Sequence, residues 1–267
     1  MTDTTKIVRD YYDENAEAEW NRIAGRPEFI LTCRYIDRYA RKGQRVLDVG
    51  GGPGRYSLYL AEKGCDVTLL DLSGANVRFA REQAQNQGLP LNAVEGDARL
   101  AHTLVDGLFD HVLLMGPMYH LLEEAERIQA VDACLRVLKP GGCLFVSFIN
   151  MFAGVIYAMK YDPACIFDAK DEAFYQSMLL NQSNGGDGFT KSFFIAQHEV
   201  LPFMARFPLE KLHFFGQEGI MSPCEQNLMS QPLELVSAWL DLAEKLSERE
   251  DLLSWSEHLM YVGRKIG

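Results

Sequence analysis

The chain has no C-x-x-C pair, and its six cysteines, Cys33, Cys65, Cys134, Cys143, Cys165 and Cys224, are scattered. That spacing argues against a zinc ribbon and a compact disulfide framework, so free thiols in a reducing cytoplasm and no metal site are expected. Positive charge is also scarce: 26 Lys and Arg stand against 37 Asp and Glu, a net charge of -11. A protein that grips nucleic acid through its phosphates needs a basic face or tail, so no nucleic-acid partner is expected. The N-terminal MTDTTKIVRDYYDENAEAEW lacks the apolar core of a signal peptide. One uncharged stretch, 140–159, approaches the length of a membrane span. Its Pro-Gly-Gly start and the polar Ser147 and Asn150 read instead as a buried strand followed by an apolar helix, with no stable membrane insertion. Internal repeats and low-complexity tracts are missing as well.

What is present is an ordinary globular composition, 48% hydrophobic over 267 residues, enough for one large α/β domain. Strand-like runs at 45–50, 66–71, 91–96, 109–115 and 143–148 alternate with amphipathic helical stretches that stop at Gly64, Gly88 and Gly141. This β-α repetition predicts a parallel sheet covered on both faces. After Phe148 the rhythm breaks, and the next plausible strand begins near Pro208, before a helical stretch and a final strand-like HLMYVGRKIG. The interval contains helix candidates MFAGVIYAMK and KDEAFYQSMLL and a flexible NQSNGGDG, and it reads as a cap or binding insertion. The chain thus divides into an N-terminal helical flap (1–40), a ligand-binding core (41–150), a cap insertion (151–205) and C-terminal strands and helices (206–267), all in one domain.

The most informative segment is RVLDVGGGPGRYS, where Gly50, Gly52 and Gly54 form G-x-G-x-G after a strand and before a helix. A P-loop would need Gly-Lys-Ser or Gly-Lys-Thr, and a dinucleotide fingerprint would need glycine where Arg55 or Ser57 stands. Both phosphate readings fail on spacing. A bare loop without phosphate-binding residues suits a nucleoside or an amino acid lying against backbone N–H groups. Asp71 ends the second strand about twenty residues on, as a ribose acceptor would. Asp97 and Ala98, in EGDA, end the third strand and could receive an adenine amino group and donate a backbone N–H.

These motifs together resemble those of the class I S-adenosylmethionine-dependent methyltransferases. VLDVGGGPG matches that family's Asp/Glu-x-Gly-x-Gly-x-Gly, LLDLS its ribose position, EGDA its adenine position, FDHVLLMGPMYHL its fourth strand and the loop beyond, and RVLKPGG the turn before the fifth strand. RDYYDENAEAEW is similar to the opening helix of bacterial small-molecule methyltransferases of the ubiquinone/menaquinone-biosynthesis type. The resemblance implies a Rossmann-like seven-stranded sheet with an antiparallel last strand and helices on both faces. It implies S-adenosyl-L-methionine as cofactor, S-adenosyl-L-homocysteine as product, and a small-molecule methyl acceptor. Cofactor contacts would come from Asp48, Gly50, Gly51, Gly52, Gly54, Asp71, Leu72, Asp97, Ala98 and Met115, with Tyr12 and Arg34 reaching in from the N-terminal flap.

Methyl transfer from a sulfonium asks mainly for alignment and exclusion of water, while a hydroxyl acceptor also benefits from a base. His120, beside Tyr119 in MGPMYHL, is the candidate base; a packing or capping role suits it equally. Asp48 reads either as a ligand contact or as a support for the glycine loop, and Asp97 either as an adenine acceptor or as a helix cap. Arg34 could meet the cofactor carboxylate or lie on an exposed helix face. His198 could reach the pocket or start a solvated helix, whereas His102, His111, His213 and His258 read as surface or packing residues. Met151, Phe152, Tyr157, Met159, Phe174, Tyr175 and Phe194 could form an apolar substrate wall or a lid core of their own. A quinone precursor, an RNA or cofactor sensing without turnover are the alternative functions.

Overall fold

Uninterrupted apolar runs belong to strands covered on both faces, and the computed structural model, which describes residues 3–168 and 172–267, places them there. Strands β1 (Arg45–Val49), β2 (Asp66–Asp71), β3 (Asn92–Glu95), β4 (Phe109–Leu114) and β5 (Leu138–Asn150) run parallel in the order β3-β2-β1-β4-β5. Strand β9 (His258–Lys265) lies antiparallel on β5, and β8 (Leu209–Gly216) lies antiparallel on β9. Those seven strands match the expected sheet and its antiparallel last strand.

The sheet has nine strands rather than seven. The two additional strands, β6 (Asn184–Asp187) and β7 (Lys191–Ile195), form a hairpin within the stretch read as strandless. Gly185 and Gly186 lie inside β6, so that strand has no alternation of side chains by which to betray itself. Ile149 pairs with His258 on one side and with Phe194 of β7 on the other, so the hairpin extends β5 on β4's side, past that strand's end.

Neighbouring residues along each strand supply opposite faces. Leu47, Val112 and Leu144 join one buried cluster, and Val46, Leu113 and Phe145 join the other. Helix α6 (Glu124–Val137) and α9 (Gln197–Met204) cover the first face, with short α5 (Ala101–Leu104). Helices α2 (Pro27–Ile36) and α3 (Arg55–Glu62) cover the second. Helix α4 (Gly74–Asn86) packs beside β2 and β3 through Val77 and Ala80, and α1 (Asp3–Arg22) rests on α4.

The insertion opens with α7 (Ala153–Tyr161), continues through α8 (Glu172–Leu179) and the hairpin, and closes with α9. The predicted start of the second insertion helix, Lys170, lies outside the described residues. Lys160 of α7 is buried against Glu257 (2.5 Å) and Glu225 (3.2 Å), tying the insertion to the body; Glu225 opens α10 (Glu225–Met229). Helix α11 (Leu233–Leu246) follows. None of the described helices is long and apolar enough to cross a membrane.

Candidate functional site

The glycine loop sits where β1 ends, and each of its glycines has its own reason to be bare. A Cβ on Gly51 would meet the Asp48 carboxylate at 2.7 Å, and one on Gly50 would meet the Pro117 ring at 2.3 Å. Gly54 starts α3 with φ +92°, and a Cβ there would touch Ala80 of α4 at 3.0 Å. Only Gly52 faces open space: its nearest neighbour would be the Asn76 amide at 4.0 Å. Its N–H donates to Asp71 at 2.8 Å, so the carboxylate and the open backbone lie side by side.

Asp71 also receives the Ser73 N–H (2.9 Å) and the Asn76 side chain (3.1 Å), and burial still raises its carboxyl above the ordinary value. Asp48 lies beneath the loop, accepts from Ser57 at 2.7 Å, and is pushed by burial up to about 7. Its other oxygen is buried without a partner among the described residues. This geometry agrees with the loop-support alternative for Asp48. Asp97 caps the turn that begins at buried Ala98, accepting the Arg99 N–H at 2.9 Å, and its carboxylate is further engaged by the Arg99 guanidinium at 2.5 Å. Leu72 and Met115, both half-buried, follow the ends of β2 and β4.

Helix α1 is latched across successive strand ends. Asp13 accepts from Ser73 (2.6 Å) and from the Ala75 N–H (3.1 Å) after β2, while Thr5 Oγ1 meets Arg99 (3.2 Å) after β3. After β4, the Tyr12 hydroxyl meets His120 Nε2 at 2.8 Å. The Arg55 guanidinium stacks 3.4 Å over Trp20 at the other end of α1. Between these ends the helix kinks at Asn15, whose side chain takes the Tyr11 carbonyl.

His120 is buried, and its Nδ1 contacts the Lys191 carbonyl of β7 at 2.8 Å. A carbonyl can only accept, so Nδ1 carries the proton and Nε2 presents its lone pair to the Tyr12 hydroxyl. Burial without a carboxylate partner pushes the imidazole down to about 4. At neutral pH it is therefore an uncharged base with one oriented lone pair.

Tyr119 is the other candidate for chemistry. Its hydroxyl turns inward to Ser147, which continues to Gln217 and then to Thr32 at 2.9 Å, so it serves a buried structural chain. Arg34 pairs with Asp241 (2.9 Å) and Glu244 (2.8 Å) of α11, the helix-face placement that stood beside its cofactor reading. The proposed apolar wall divides. Met151 is core, Phe174 packs on Phe194, and Tyr157 and Met159 are exposed.

Sequence reasoning missed a buried charged cluster behind Tyr119. His258, read as a surface or packing residue, opens β9 with its Nδ1 2.6 Å from Glu218, and its ring lies 5.6 Å from that of Tyr119. Glu28, held by Arg22 at 3.2 Å, offers an oxygen within 4.8 Å of the other two residues' donor atoms. Burial works against the His258 imidazolium, yet Glu28 and Glu218 outweigh it and hold the group at about 9. The donor set could hold a metal ion, but imidazolium and guanidinium already balance its carboxylates. The rule that singled out Asp71 and Asp97, polar residues at strand ends, also points to Glu218 after β8 and His258 at the start of β9.

Three comparisons bear on this site. The Methyltransferase domain family model matches residues 46–142, from β1 into the start of β5. The ubiquinone biosynthesis O-methyltransferase of Shewanella pealeana is 35% identical over 171 residues, covering 60% of this chain and 71% of that protein. The Pectobacterium carotovorum protein of the same name is 33% identical over 52% of this chain, which spans 62% of its length. The chain thus spans slightly less than two thirds of the first curated relatives it matches. In fold, it resembles the magnesium protoporphyrin IX methyltransferase of Synechocystis, solved with S-adenosylhomocysteine, at a TM-score of 0.60 and 14% identity over 98% of this chain and 100% of that one. With the ordered strand-end motifs, the seven-strand core order and these relatives in agreement, the chain belongs to the class I S-adenosylmethionine-dependent methyltransferases.

Proposed function

We propose that the protein transfers a methyl group from S-adenosylmethionine to a hydroxyl of a small-molecule acceptor, with His120 as general base. The observation that carries this reading is the Nδ1-protonated His120, whose only free lone pair is directed to a hydroxyl. A base of that kind helps an oxygen acceptor most, since an amine or thiol can shed its proton without one. The O-methyltransferase names of the relatives agree with it.

The cofactor supplies a methyl carbon already activated on a sulfonium. Asp71 and the open Gly52 backbone would hold its ribose and amino-acid portions, with Ala98 and Leu72 beside the adenine. The protein's task is then to orient the acceptor, keep water out and receive one proton at His120 Nε2.

Titration calorimetry with S-adenosylmethionine and S-adenosylhomocysteine tests the first half, with NAD as control. Micromolar binding by the wild type, lost in Asp71→Ala, is the expected result, followed by a screen of hydroxylated metabolites with methyl-labelled cofactor. A folded protein that binds neither nucleoside would sink the reading.

A further inference from the structure

His120 is held in contrasting ways at its two nitrogens. Nδ1 is fixed to the body of the protein through Lys191 of the β6–β7 hairpin. Arg127 of α6 secures that hairpin: its buried guanidinium stacks 3.6 Å over Phe193 and donates to the carbonyls of Leu121 (2.6 Å) and Leu122 (2.8 Å), directly after His120. Nε2 has only Tyr12. Tyr12 rides on α1, whose one fully buried residue is Val8 and whose other fastenings are mostly polar side chains. An element held that way opens at low cost.

The Tyr12 phenol occupies a seat made of rings. Tyr11 stands edge-on at 5.2 Å and His120 at 5.3 Å, and Phe189 closes the side at 5.7 Å from His120 and 5.8 Å from Tyr11. The seat adjoins the cofactor side: Asp13, next to Tyr12 in the chain, accepts from Ser73, whose N–H donates to Asp71. A single lone pair accepts one hydrogen bond, so Tyr12 and an incoming hydroxyl compete for Nε2.

We propose that Tyr12 is a placeholder for the acceptor: its phenol fills the acceptor's position and caps the base until a hydroxylated aromatic ring displaces it. The proposal rests on His120 being the base, and it adds to that reading a class of acceptor and a guard. The displaced helix carries Tyr12 away, and the arriving hydroxyl donates to Nε2 as the phenol did. Water is thereby kept from the base in the absence of acceptor.

The test uses p-cresol, the tyrosine side chain as a free molecule, titrated into the full chain with and without saturating S-adenosylhomocysteine. Tyr12→Phe keeps the ring but gives up its bond to Nε2, and p-cresol should bind this variant about tenfold more tightly than wild type, because the competent state is then less heavily taxed. Adding His120→Ala should abolish the gain. Equal or weaker binding by Tyr12→Phe, a gain that survives loss of His120, or no p-cresol binding by any of these proteins would overturn the proposal. As a second readout, carbethoxylation of His120, followed by peptide mass, should speed up in Tyr12→Phe; an unchanged rate refutes the cap. Failure of S-adenosylhomocysteine to bind in the same samples would strike the cofactor reading alone, since the titrations without it still decide the role of Tyr12.

Discussion

The two halves of the sheet's carboxyl edge are assembled from contacts of different reach. On the β1–β3 side, Asp71 finds its partners 2, 5 and 19 residues away, and Asp48 finds Ser57 nine residues away. On the β4–β9 side, His120 depends on Tyr12 and Lys191, 108 and 71 residues distant, and Gln217 reaches Thr32 across 185. The first half is formed by consecutive β-α units of one continuous stretch, through contacts of short reach. The second requires the flap, the insertion and the C-terminal strands to arrive together. A family that keeps one cofactor and varies its acceptor profits from that division, because the variable half can be rebuilt without disturbing the constant one.

The sharpest way to break the comparison is to remove the base. His120→Ala should lower turnover by about 10²- to 10⁴-fold and leave S-adenosylhomocysteine affinity where it was; a parallel loss of affinity would mean that the halves are one unit. Next comes pH. Asp48 rises from an ordinary 3.8 to about 7 in the folded protein, so folding favours its protonated form and stability falls as pH climbs through that interval. Relative to Asp48→Asn, the wild type should lose about 3 kcal/mol between pH 4.5 and 7.5 in urea unfolding, and parallel profiles would show that the carboxyl is not desolvated. Asp71→Ala should weaken S-adenosylmethionine by about 2 kcal/mol, roughly thirtyfold, in calorimetry, with p-cresol binding unaltered. The mildest is Thr32→Val, which strands the Gln217 amide and should cost about 1 kcal/mol of unfolding free energy while sparing cofactor affinity.

The same difference in reach explains what could be read beforehand. Asp71, Asp97 and the glycine loop announce themselves because strand, turn and helix follow in one short stretch, and the phosphate alternatives fail on local spacing. His120 was legible as a candidate only because it follows β4. Its tautomer was not, since that depends on a carbonyl in a hairpin whose glycines hide the strand. Glu28 and His258 looked ordinary in their own neighbourhoods, and only the β5–β9 pairing and the packing of α2 bring them together. Arg34 shows the converse: its sequence neighbourhood left a ligand and a helix face equally open, and the two carboxylates it meets come from α11, 207 and 210 residues away.

Gly50 and the loop after β4 touch: the Pro117 ring fills the space a side chain at position 50 would need, and a Cβ on Gly116 would lie 2.8 Å from the Gly50 carbonyl. Descendants of this sequence are therefore not free to remodel the two loops one at a time. A side chain at position 50 needs a smaller residue at 117 or a shift of the second loop, and one at position 116 needs the first loop to give way.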